Sequence, residues 1–234
     1  MRLGIIGDGR MGRSVATLAA ERGIEVVAML GEIENEDAAA INGGALAGAD
    51  VAIEFTEPRS AVENALACLR ANVPVVVGTT GWYDRLPEVK TAAERQRGSL
   101  LWAPNFSIGV VLFAALIETA GRLFADPAYA DVHLVETHHA AKKDAPSGTA
   151  LSLANAFEAG GSRRPPITSV RTGHVPGTHE LILDAPFEQV RLSHAARDRR
   201  VFADGALRAA GWLRGRTGVF TMRDVLGLEP ERNS

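Results

Sequence analysis

The residues best suited to chemistry lie between positions 138 and 150. Two adjacent histidines, His138 and His139, are followed by Lys142. A histidine can exchange a proton near neutral pH, and a lysine ammonium can neutralise a carboxylate or polarise an imine. An apolar run precedes the segment and a run of helical composition follows it. These side chains are therefore expected on a strand-to-loop-to-helix connection, where catalytic groups are commonly displayed.

Ser147, Gly148 and Thr149 follow Pro146 in the same segment and predict the start of a helix. The first N–H groups of a helix have no intrahelical partner, and the helix dipole favours a negative group beside them. Together with the histidines and Lys142, this helix start predicts a site that binds a small anionic substrate and moves protons.

A glycine-rich loop near the N-terminus predicts a nucleotide site. Residues 7–12 lie between a predicted strand and a predicted helix, which is the context that the dinucleotide-binding pattern G-x-G-x-x-G requires. Gly7 permits the tight turn, Gly9 lets a pyrophosphate approach, and Gly12 allows close helix–strand packing. A simple glycine turn is the alternative. The candidate cofactor contacts here are Gly7, Asp8, Gly9, Arg10, Met11 and Gly12.

The end of the second predicted strand bears on the choice of cofactor. An acidic residue at this position, here Glu32, accepts hydrogen bonds from the ribose hydroxyls and repels a 2′-phosphate. No lysine or arginine lies between Arg22 and Arg59. NADH is therefore favoured over NADPH, although Arg10 and Arg13 could hold a phosphate. An acidic, solvated loop is the alternative interpretation.

Two later loops extend the predicted cofactor site. Residues 78–81 and 103–107 follow predicted strands, and ligands of open α/β sheets bind at such carboxyl ends. We expect both loops to lie beside the nicotinamide and its ribose, although each could be an ordinary turn. The candidate contacts are Gly78, Thr79, Thr80, Ala103, Pro104, Asn105 and Phe106.

The first part of the chain alternates strand-like and helix-like patterns. Such alternation predicts a parallel sheet with right-handed crossovers, a Rossmann-type doubly wound α/β fold. The predicted strands are 3–6, 24–30, 51–55, 73–77 and 100–102, and the predicted helices are 11–22 and 58–71.

The pattern changes after residue 107. A long apolar helix is followed by β-like stretches that predict a mixed or antiparallel sheet, and a final helix is expected to pack back on the first domain. These elements are the helices 108–124 and 202–213 and the strands 132–136, 169–171, 179–183 and 187–193. We therefore predict a dinucleotide-binding domain of residues 1–106 and 200–234, and an α+β domain for substrate binding and oligomerisation at 107–199.

Composition restricts the function classes. The 234 residues carry a net charge of −3, which argues against nucleic-acid or anionic-membrane partners because both need a positive field. The single cysteine excludes an internal disulfide framework, and the chain shows neither a long apolar run nor a signal-peptide pattern. A cytoplasmic enzyme is the expected class.

No metal site is predicted. Adjacent residues of an extended chain point to opposite sides, so His138 and His139 do not converge on one ion, and no nearby carboxylate completes a ligand set. The remaining histidines, which are expected to be structural or exposed, are His133, His174, His179 and His194.

These segments, in this order, resemble the dihydrodipicolinate reductase family, also called 4-hydroxy-tetrahydrodipicolinate reductases, of diaminopimelate and lysine biosynthesis. The glycine loop is generic, whereas the block from Glu136-Thr137-His138-His139 to Ser147-Gly148-Thr149-Ala150 is specific. The resemblance extends along nearly the whole chain. Its other matching segments are 54–56, 78–81, 103–107 and 222–226.

The resemblance implies roles for individual residues. His138 corresponds to the family's proposed acid, and Lys142, rather than Lys143, corresponds to its catalytic lysine. Phe55 joins the cofactor contacts. The implied substrate-binding residues are His139, Ser147, Gly148, Thr149 and Arg199, and which arginine of 197–200 reaches the substrate stays open.

The reaction implied by the resemblance is the nicotinamide-dependent reduction of 4-hydroxy-tetrahydrodipicolinate (dihydrodipicolinate) to tetrahydrodipicolinate. Hydride reaches C4 of a cyclic imine that carries two carboxylates, and a proton is added at C3. The resemblance also implies a homotetramer. Two departures concern the cofactor: the stretch 31–50 is short for the family, and Glu32 lacks the neighbouring arginine that some members direct at a 2′-phosphate.

Two other function classes stay open. Another NAD(P)-dependent dehydrogenase, acting on a small amino or imino acid, would share the glycine loop but need not carry Lys142 and the predicted helix start. A catalytically silent dinucleotide sensor or scaffold would bind cofactor without turnover. The combination of His138 and Lys142 argues against this second class.

Overall fold

The computed structural model describes residues 1–126 and 128–228 of the chain. These residues form two compact units, which we call unit 1 (residues 1–107 and 200–228) and unit 2 (residues 108–199). Each unit is built on one β-sheet and has its own apolar core.

Unit 1 is a six-stranded sheet with helices. Its strands lie in the order β10-β5-β4-β3-β1-β2, and every neighbouring pair is parallel. These strands are β1 (Arg2–Ile6), β2 (Glu25–Leu30), β3 (Val51–Glu54), β4 (Val75–Val77), β5 (Ser99–Trp102) and β10 (Gly218–Phe220). The helices of this unit are α1 (Arg10–Glu21), α2 (Ala39–Asn42), α3 (Pro58–Arg70), α4 (Leu86–Arg95), α7 (Arg200–Leu213) and α8 (Met222–Val225).

The central strands of unit 1 are buried, as is typical of a parallel sheet with both faces covered. Ile5, Ile53 and Val76 have no exposed surface. Strand β1 lies between β2 and β3, so the chain passes from β1 to β2 on one side and then crosses to β3 on the other side of β1. The crevice at the carboxyl ends of β1 and β3 is where doubly wound sheets bind ligands. The predicted Rossmann-type fold is confirmed.

Unit 2 combines two helices with a mixed four-stranded sheet, as predicted. The sheet order is β7-β6-β8-β9, in which β6 and β7 are parallel and the other pairs antiparallel. Val132 and Leu134 of β6 pack into the core with α5 and α6. The elements are α5 (Ile108–Leu123), β6 (Asp131–His138), α6 (Gly148–Ala159), β7 (Ile167–Arg171), β8 (Thr178–Ala185) and β9 (Glu188–Ala195).

Several boundaries differ from the sequence-based expectations. β6 continues two residues beyond the predicted strand, so His138 ends a strand and does not belong to the following loop. The helices α2 and α4 and the strand β10 were not predicted, because short elements offer too few residues for a periodic pattern. No helix in residues 1–126 and 128–228 has the length and apolar character needed to cross a membrane.

Glu54, the last residue of β3, is a fully buried carboxyl in unit 1. Its Oε1 accepts a hydrogen bond from the Thr56 N–H at 3.1 Å and another from the Thr56 hydroxyl. Its Oε2 has no hydrogen-bond partner among the described residues. Burial raises the pKa of Glu54, and hydrogen bonds from Thr56, Thr79 and Asn64 oppose the rise only in part. The folded protein therefore favours the neutral carboxyl.

We expect Glu54→Gln to stabilise the protein, relative to wild type, more strongly as the pH rises. Because the folded-state pKa of Glu54 is raised, the contribution of Glu54 to the stability of wild type is fully present at acid pH. This contribution is lost as the pH rises through the raised pKa. Glutamine keeps the acceptor for Thr56 and carries no charge. Urea unfolding at about pH 5 and about pH 8 measures the effect.

Glu54→Ala is the comparison for this experiment. Relative to Glu54→Gln it should cost about 1–3 kcal/mol at both pH values, because it removes the acceptor of the Thr56 hydroxyl. A stability difference between Glu54→Gln and wild type that does not change with pH would show that Glu54 titrates alike in the folded and unfolded chains.

Candidate active site

The glycine loop of unit 1 forms a tight turn between β1 and α1. Gly7 has a φ of +104°, and a Cβ there would lie 2.1 Å from the carbonyl oxygen of Phe55. A Cβ at Gly12 would lie 1.8 Å from the carbonyl oxygen of Gly7, so only glycine fits both positions. At Gly9, the N-cap of α1, a Cβ would meet no described atom within 4 Å. The loop therefore leaves open space over the helix N-terminus.

The other predicted cofactor residues follow β3, β4 and β5 at the same edge of the sheet. The Phe55 and Phe106 rings meet edge to face, with centroids 5.9 Å apart, and a Cβ at Gly78 would lie 2.1 Å from the Phe55 ring. Thr79 is buried, and its hydroxyl accepts a hydrogen bond from the Thr56 N–H at 2.7 Å. Ala103 is buried, Thr80 and Pro104 are exposed, and Asn105 accepts a hydrogen bond from the Ser107 N–H. Unit 1 thus brings its predicted cofactor residues together.

Glu32, beyond the end of β2, forms an ion pair with Arg59 in the first turn of α3. Arg59 also contacts Glu57 at 3.1 Å. The side chains of Glu32 and Arg59 are 72% and 70% exposed. No arginine adjoins Glu32 in the sequence, but the connection after β3 brings Arg59 to it in the folded chain.

In unit 2, Glu136 and His138 share a hydrogen bond on one face of β6. One residue separates them, so their side chains point the same way, and Nδ1 of His138 is bonded to Oε2 of Glu136. Arg171, which ends the neighbouring strand β7, donates to Oε1 of Glu136 at 2.6 Å. Burial alone would raise the pKa of Glu136, but hydrogen bonds from Arg171, Ser169 and His138 lower it to about 2. Glu136 is therefore a carboxylate that holds the His138 imidazole.

Ser147 and His179 complete this buried cluster. The Ser147 N–H donates to Glu136 at 3.3 Å, and the Ser147 hydroxyl accepts from the Ala150 N–H at 3.2 Å as the cap of α6. The hydroxyl lies 3.4 Å from Nε2 of His179, and the His179 and His138 ring centroids are 5.2 Å apart. Burial lowers the pKa of His179 to about 4. Both polar groups of Ser147 are thus engaged within the protein, which argues against their direct use on a substrate.

Lys142 and the start of α6 hold a carboxylate, that of Asp144. The ammonium of Lys142 lies 2.8 and 3.0 Å from the two carboxylate oxygens, and the backbone of Gly148 interacts with the same carboxyl group. The hydrogen bond from Lys142 lowers the pKa of Asp144. Arg171 donates to the Asp144 carbonyl oxygen at 2.5 Å and so fastens this loop to β7. Unit 2 therefore contains a carboxylate position between an ammonium and a helix N-terminus.

His139 and Arg199, two of the predicted substrate contacts, line one open pocket of unit 2 together with His174. The Ala140 N–H donates to the Gly173 carbonyl oxygen at 3.2 Å, which holds the loop after β6 beside the turn after β7. Thr149 is half-buried in the first turn of α6. The predicted substrate residues of unit 2 thus occupy the pocket and the helix start.

Sequence reasoning missed three members of this site: Glu136, Arg171 and His179. The spacing of Glu136 and His138 on a strand was a usable signal, because alternate residues share a face. His179 was expected to be structural or exposed, but the antiparallel register places it opposite Glu136. Arg171 is brought in by its parallel register with His138.

No nearby carboxylate was expected to complete a ligand set with the histidines, but Glu136 lies beside His138. Side-chain atoms of Glu136, His138 and His179 that could bind a metal ion lie within 4.8 Å of one another. Hydrogen bonds from Arg171, Ser147 and His138 already engage both oxygens of Glu136, and the guanidinium supplies a positive charge in the same place. These contacts favour a proton-transfer cluster.

Comparison with known proteins identifies the chain. The family model for the N-terminus of dihydrodipicolinate reductase matches residues 1–106, and the model for its C-terminus matches residues 109–226. The 4-hydroxy-tetrahydrodipicolinate reductase of Christiangramia forsetii is 34% identical over 97% of this chain and 98% of its own length. The protein of the same name from Thiobacillus denitrificans is 38% identical over 98% and 99%.

A solved structure shows the same fold. The dipicolinate-bound dihydrodipicolinate reductase from Paenisporosarcina sp. TG-14 matches with a TM-score of 0.78 and 24% identity, over 96% of this chain and 98% of that one. The resemblance found in the sequence is confirmed by the family models and the relatives. The chain belongs to the dihydrodipicolinate reductase family, whose members are oxidoreductases that use a nicotinamide cofactor.

Proposed function

We propose that this protein reduces 4-hydroxy-tetrahydrodipicolinate to tetrahydrodipicolinate with a nicotinamide cofactor. The observation that carries the proposal is the carboxylate position in unit 2, where Lys142 binds the Asp144 carboxylate with both oxygens in reach. Lys142 also acts electrostatically on His138, the histidine held by Glu136. A cyclic imine with two carboxylates needs both features: cationic and N–H groups for its carboxylates, and a proton donor for its ring.

The residues of unit 2 bind the substrate in this proposal. A substrate carboxylate takes the place of the Asp144 carboxylate between Lys142 and the start of α6, where Thr149 adds a further contact. Such charge-assisted hydrogen bonds are shorter and stronger than neutral ones. His139 and Arg199 hold the second carboxylate from their shared pocket. Ser147 is buried and caps α6 through its hydroxyl.

In the proposed reaction His138 is the general acid and Lys142 stabilises charge electrostatically. The substrate loses water, and its conjugated ring then accepts hydride at C4 and a proton at C3. His138 gives up the proton, leaving a neutral imidazole that solvent reprotonates, while Lys142 offsets the negative charge that develops on the ring. Nδ1 of His179 and Nε of Arg171 are buried without a hydrogen-bond partner among the described residues, and a catalytic role is one of the explanations for such atoms.

Unit 1 holds the cofactor in this proposal. The open space at Gly9 and the absence of a capping side chain at the described start of α1 suit a pyrophosphate. Phe55, Gly78 and Phe106 then lie beside the nicotinamide end. When bound, the nicotinamide supplies the hydride.

Arg59 is the residue of unit 1 that we expect to decide how well NADPH is accepted. An exposed ion pair such as Glu32–Arg59 contributes only about 0–1 kcal/mol, so Arg59 can exchange Glu32 for a 2′-phosphate at little cost. We therefore propose that both cofactors are used, with Glu32 favouring NADH. Arg59→Gln should raise the KM for NADPH about tenfold and leave the KM for NADH nearly unchanged.

Arg70→Gln is the matched control, because Arg70 lies at the other end of α3 and bonds to Asn42. Steady-state kinetics with each cofactor measure the effect. An equal change in both KM values on replacement of Arg59 would remove its role in discrimination.

We also propose that the protein acts in the cytoplasm as a homotetramer. Leu112, Leu116 and Leu123 expose 43%, 58% and 77% of their surface on α5 of unit 2, and exposed apolar residues of this size favour association. Sedimentation equilibrium measures the oligomeric state, and a monomer at micromolar concentration would contradict this part of the proposal.

The test of the reaction is cofactor oxidation by the purified protein in the presence of freshly generated dihydrodipicolinate synthase product. Oxidation of NADH or NADPH that depends on this product is the expected result. A panel of amino and imino acids, including aspartate, is the control for another dehydrogenase. Turnover with the panel alone, or cofactor binding without any turnover, would contradict the proposed function.

A further inference from the structure

Glu136 binds groups from three elements of unit 2 through its two carboxylate oxygens. The residue has no exposed surface. Oε2 bonds to Nδ1 of His138, whereas Oε1 accepts from Arg171 at 2.6 Å and from the Ser147 N–H at 3.3 Å. One buried carboxylate thus joins the end of β6, the end of β7 and the start of α6.

We propose that Glu136 is the positioning residue for His138: it holds the imidazole by Nδ1 and leaves Nε2 as the proton-transfer atom, with Arg171 anchoring the carboxylate. The proposal rests on the proposed function for the use of His138 as proton donor. A carboxylate only accepts hydrogen bonds, so Nδ1 must carry the hydrogen of the neutral ring. The proton that is gained and lost in each turnover is then the one on Nε2.

The surroundings of His138 agree with this assignment. A Cβ at Gly177 would lie 3.0 Å from Nε2, so the absence of a side chain at this glycine leaves that nitrogen uncrowded. The Thr172 N–H donates to the His138 carbonyl oxygen at 2.9 Å and fixes the backbone. The ring therefore meets a hydrogen-bond acceptor at Nδ1 and a residue without a side chain at Nε2.

Arg171 is suited to anchor Glu136 because its guanidinium makes contacts in two directions. It donates to the Glu136 carboxylate at 2.6 Å and to the Asp144 carbonyl oxygen at 2.5 Å. A lysine has no such planar fork of donors. Arg171 thereby links the carboxylate that orients His138 to the loop that carries Lys142.

The charged and titratable groups that act on His138 come from four places. They are Glu136 on the same strand, Arg171 on β7, His179 on β8 and Lys142 in the following loop. Burial, Lys142 and Arg171 lower the pKa of His138, whereas Glu136 raises it. Replacing Glu136 by glutamine removes the anion from this set, so His138 should lose its proton at lower pH. A merely structural role would reduce activity equally at every pH.

The experiment compares wild type, Glu136→Gln and Glu180→Gln in protein labelled with ¹⁵N-histidine. Glu180 is the matched control, because it also lies on a strand of this sheet, pairs with Arg191 and points to the face opposite His179. The ¹⁵N shifts report which imidazole nitrogen carries hydrogen, and loss of a signal in His138→Gln identifies His138.

We expect the Nδ1–H form of His138 in wild type and in Glu180→Gln. In Glu136→Gln the titration midpoint of His138 should fall by about one pH unit. The alkaline limb of kcat/KM should move to lower pH with it, and kcat should drop at least about tenfold.

An Nε2–H form in wild type, or an unchanged His138 midpoint in Glu136→Gln, would overturn the proposal. The wild-type measurement requires no variant, so it decides the matter even if Glu136→Gln does not fold. The NMR titration also requires no substrate. A failure of the positioning role is therefore distinct from an absence of turnover, which would contradict the proposed function instead.

Discussion

Lys142→Ala is expected to lower kcat by about 10²- to 10³-fold, the loss typical of removing one group that stabilises charge in a transition state. The ammonium of Lys142 holds the Asp144 carboxylate at 2.8 Å in the free enzyme and, in the proposed reaction, offsets charge on the substrate ring. Cofactor binding should be nearly unchanged, because Lys142 belongs to unit 2 and the proposed nucleotide site to unit 1. Steady-state kinetics and a fluorescence titration of the cofactor measure the two effects.

Lys143→Ala is the matched control for this variant. Lys143 is the adjacent residue, has the same charge and is exposed, so its replacement should leave kcat close to the wild-type value. Near-normal turnover of Lys142→Ala, with Lys143→Ala equally active, would remove Lys142 from the mechanism.

His138→Gln is expected to lower kcat by about 10²- to 10⁴-fold, the usual contribution of a positioned general acid. His138 must be protonated to act as an acid, and burial lowers its pKa. The kcat/KM of the wild type should therefore fall as the pH rises through that pKa, and this fall should disappear in the variant. A pH profile of kcat/KM for both proteins measures the change.

His133→Gln is the control for the loss of a histidine from the same strand. His133 bonds to Thr168 at 2.8 Å, and its position on β6 differs from that of His138 by an odd number of residues, so the two side chains lie on opposite faces. It should keep both kcat and the pH profile. If His138→Gln retained the alkaline fall, another group would be the acid.

The parallel fold of unit 1 could be predicted because its signals are local. The loop at Gly7 to Gly12 has a steric reason for glycine at its first and last positions. A Cβ at Gly7 would lie 2.1 Å from the Phe55 carbonyl oxygen, and a Cβ at Gly12 would lie 1.8 Å from the Gly7 carbonyl oxygen. Apolar strands such as Val75–Val77 are recognisable from composition alone. The three-residue strand β10 has too little sequence to show a period.

The candidate site could be predicted only where its members lie in one segment. His138, Lys142 and Gly148 lie within eleven positions, so the type and spacing of these residues reveal a polar cluster. Arg171 and His179 reach His138 through strand register, and register depends on pairings that a single sequence does not specify.

Arg59 is a residue of unit 1 whose partner likewise could not be predicted from the sequence alone. It pairs with Glu32 although 27 positions separate them, because β2 and β3 are parallel and the start of α3 after β3 therefore lies at the same edge of the sheet as the end of β2. The predicted preference for NADH used only the residues close to Glu32 in the sequence, so the Arg59 guanidinium was not considered. Such side chains can be found only once the strand order is known.

The most direct test of the central claim follows a deuterium label from cofactor to product. The protein is supplied with a nicotinamide cofactor deuterated at the transferable C4 position and with freshly generated dihydrodipicolinate synthase product, and the tetrahydrodipicolinate formed is analysed by NMR and mass spectrometry. We predict one deuterium at C4 of the product and a solvent-derived hydrogen at C3. Product without deuterium, or with the label at another carbon, would contradict hydride transfer from the cofactor to this ring.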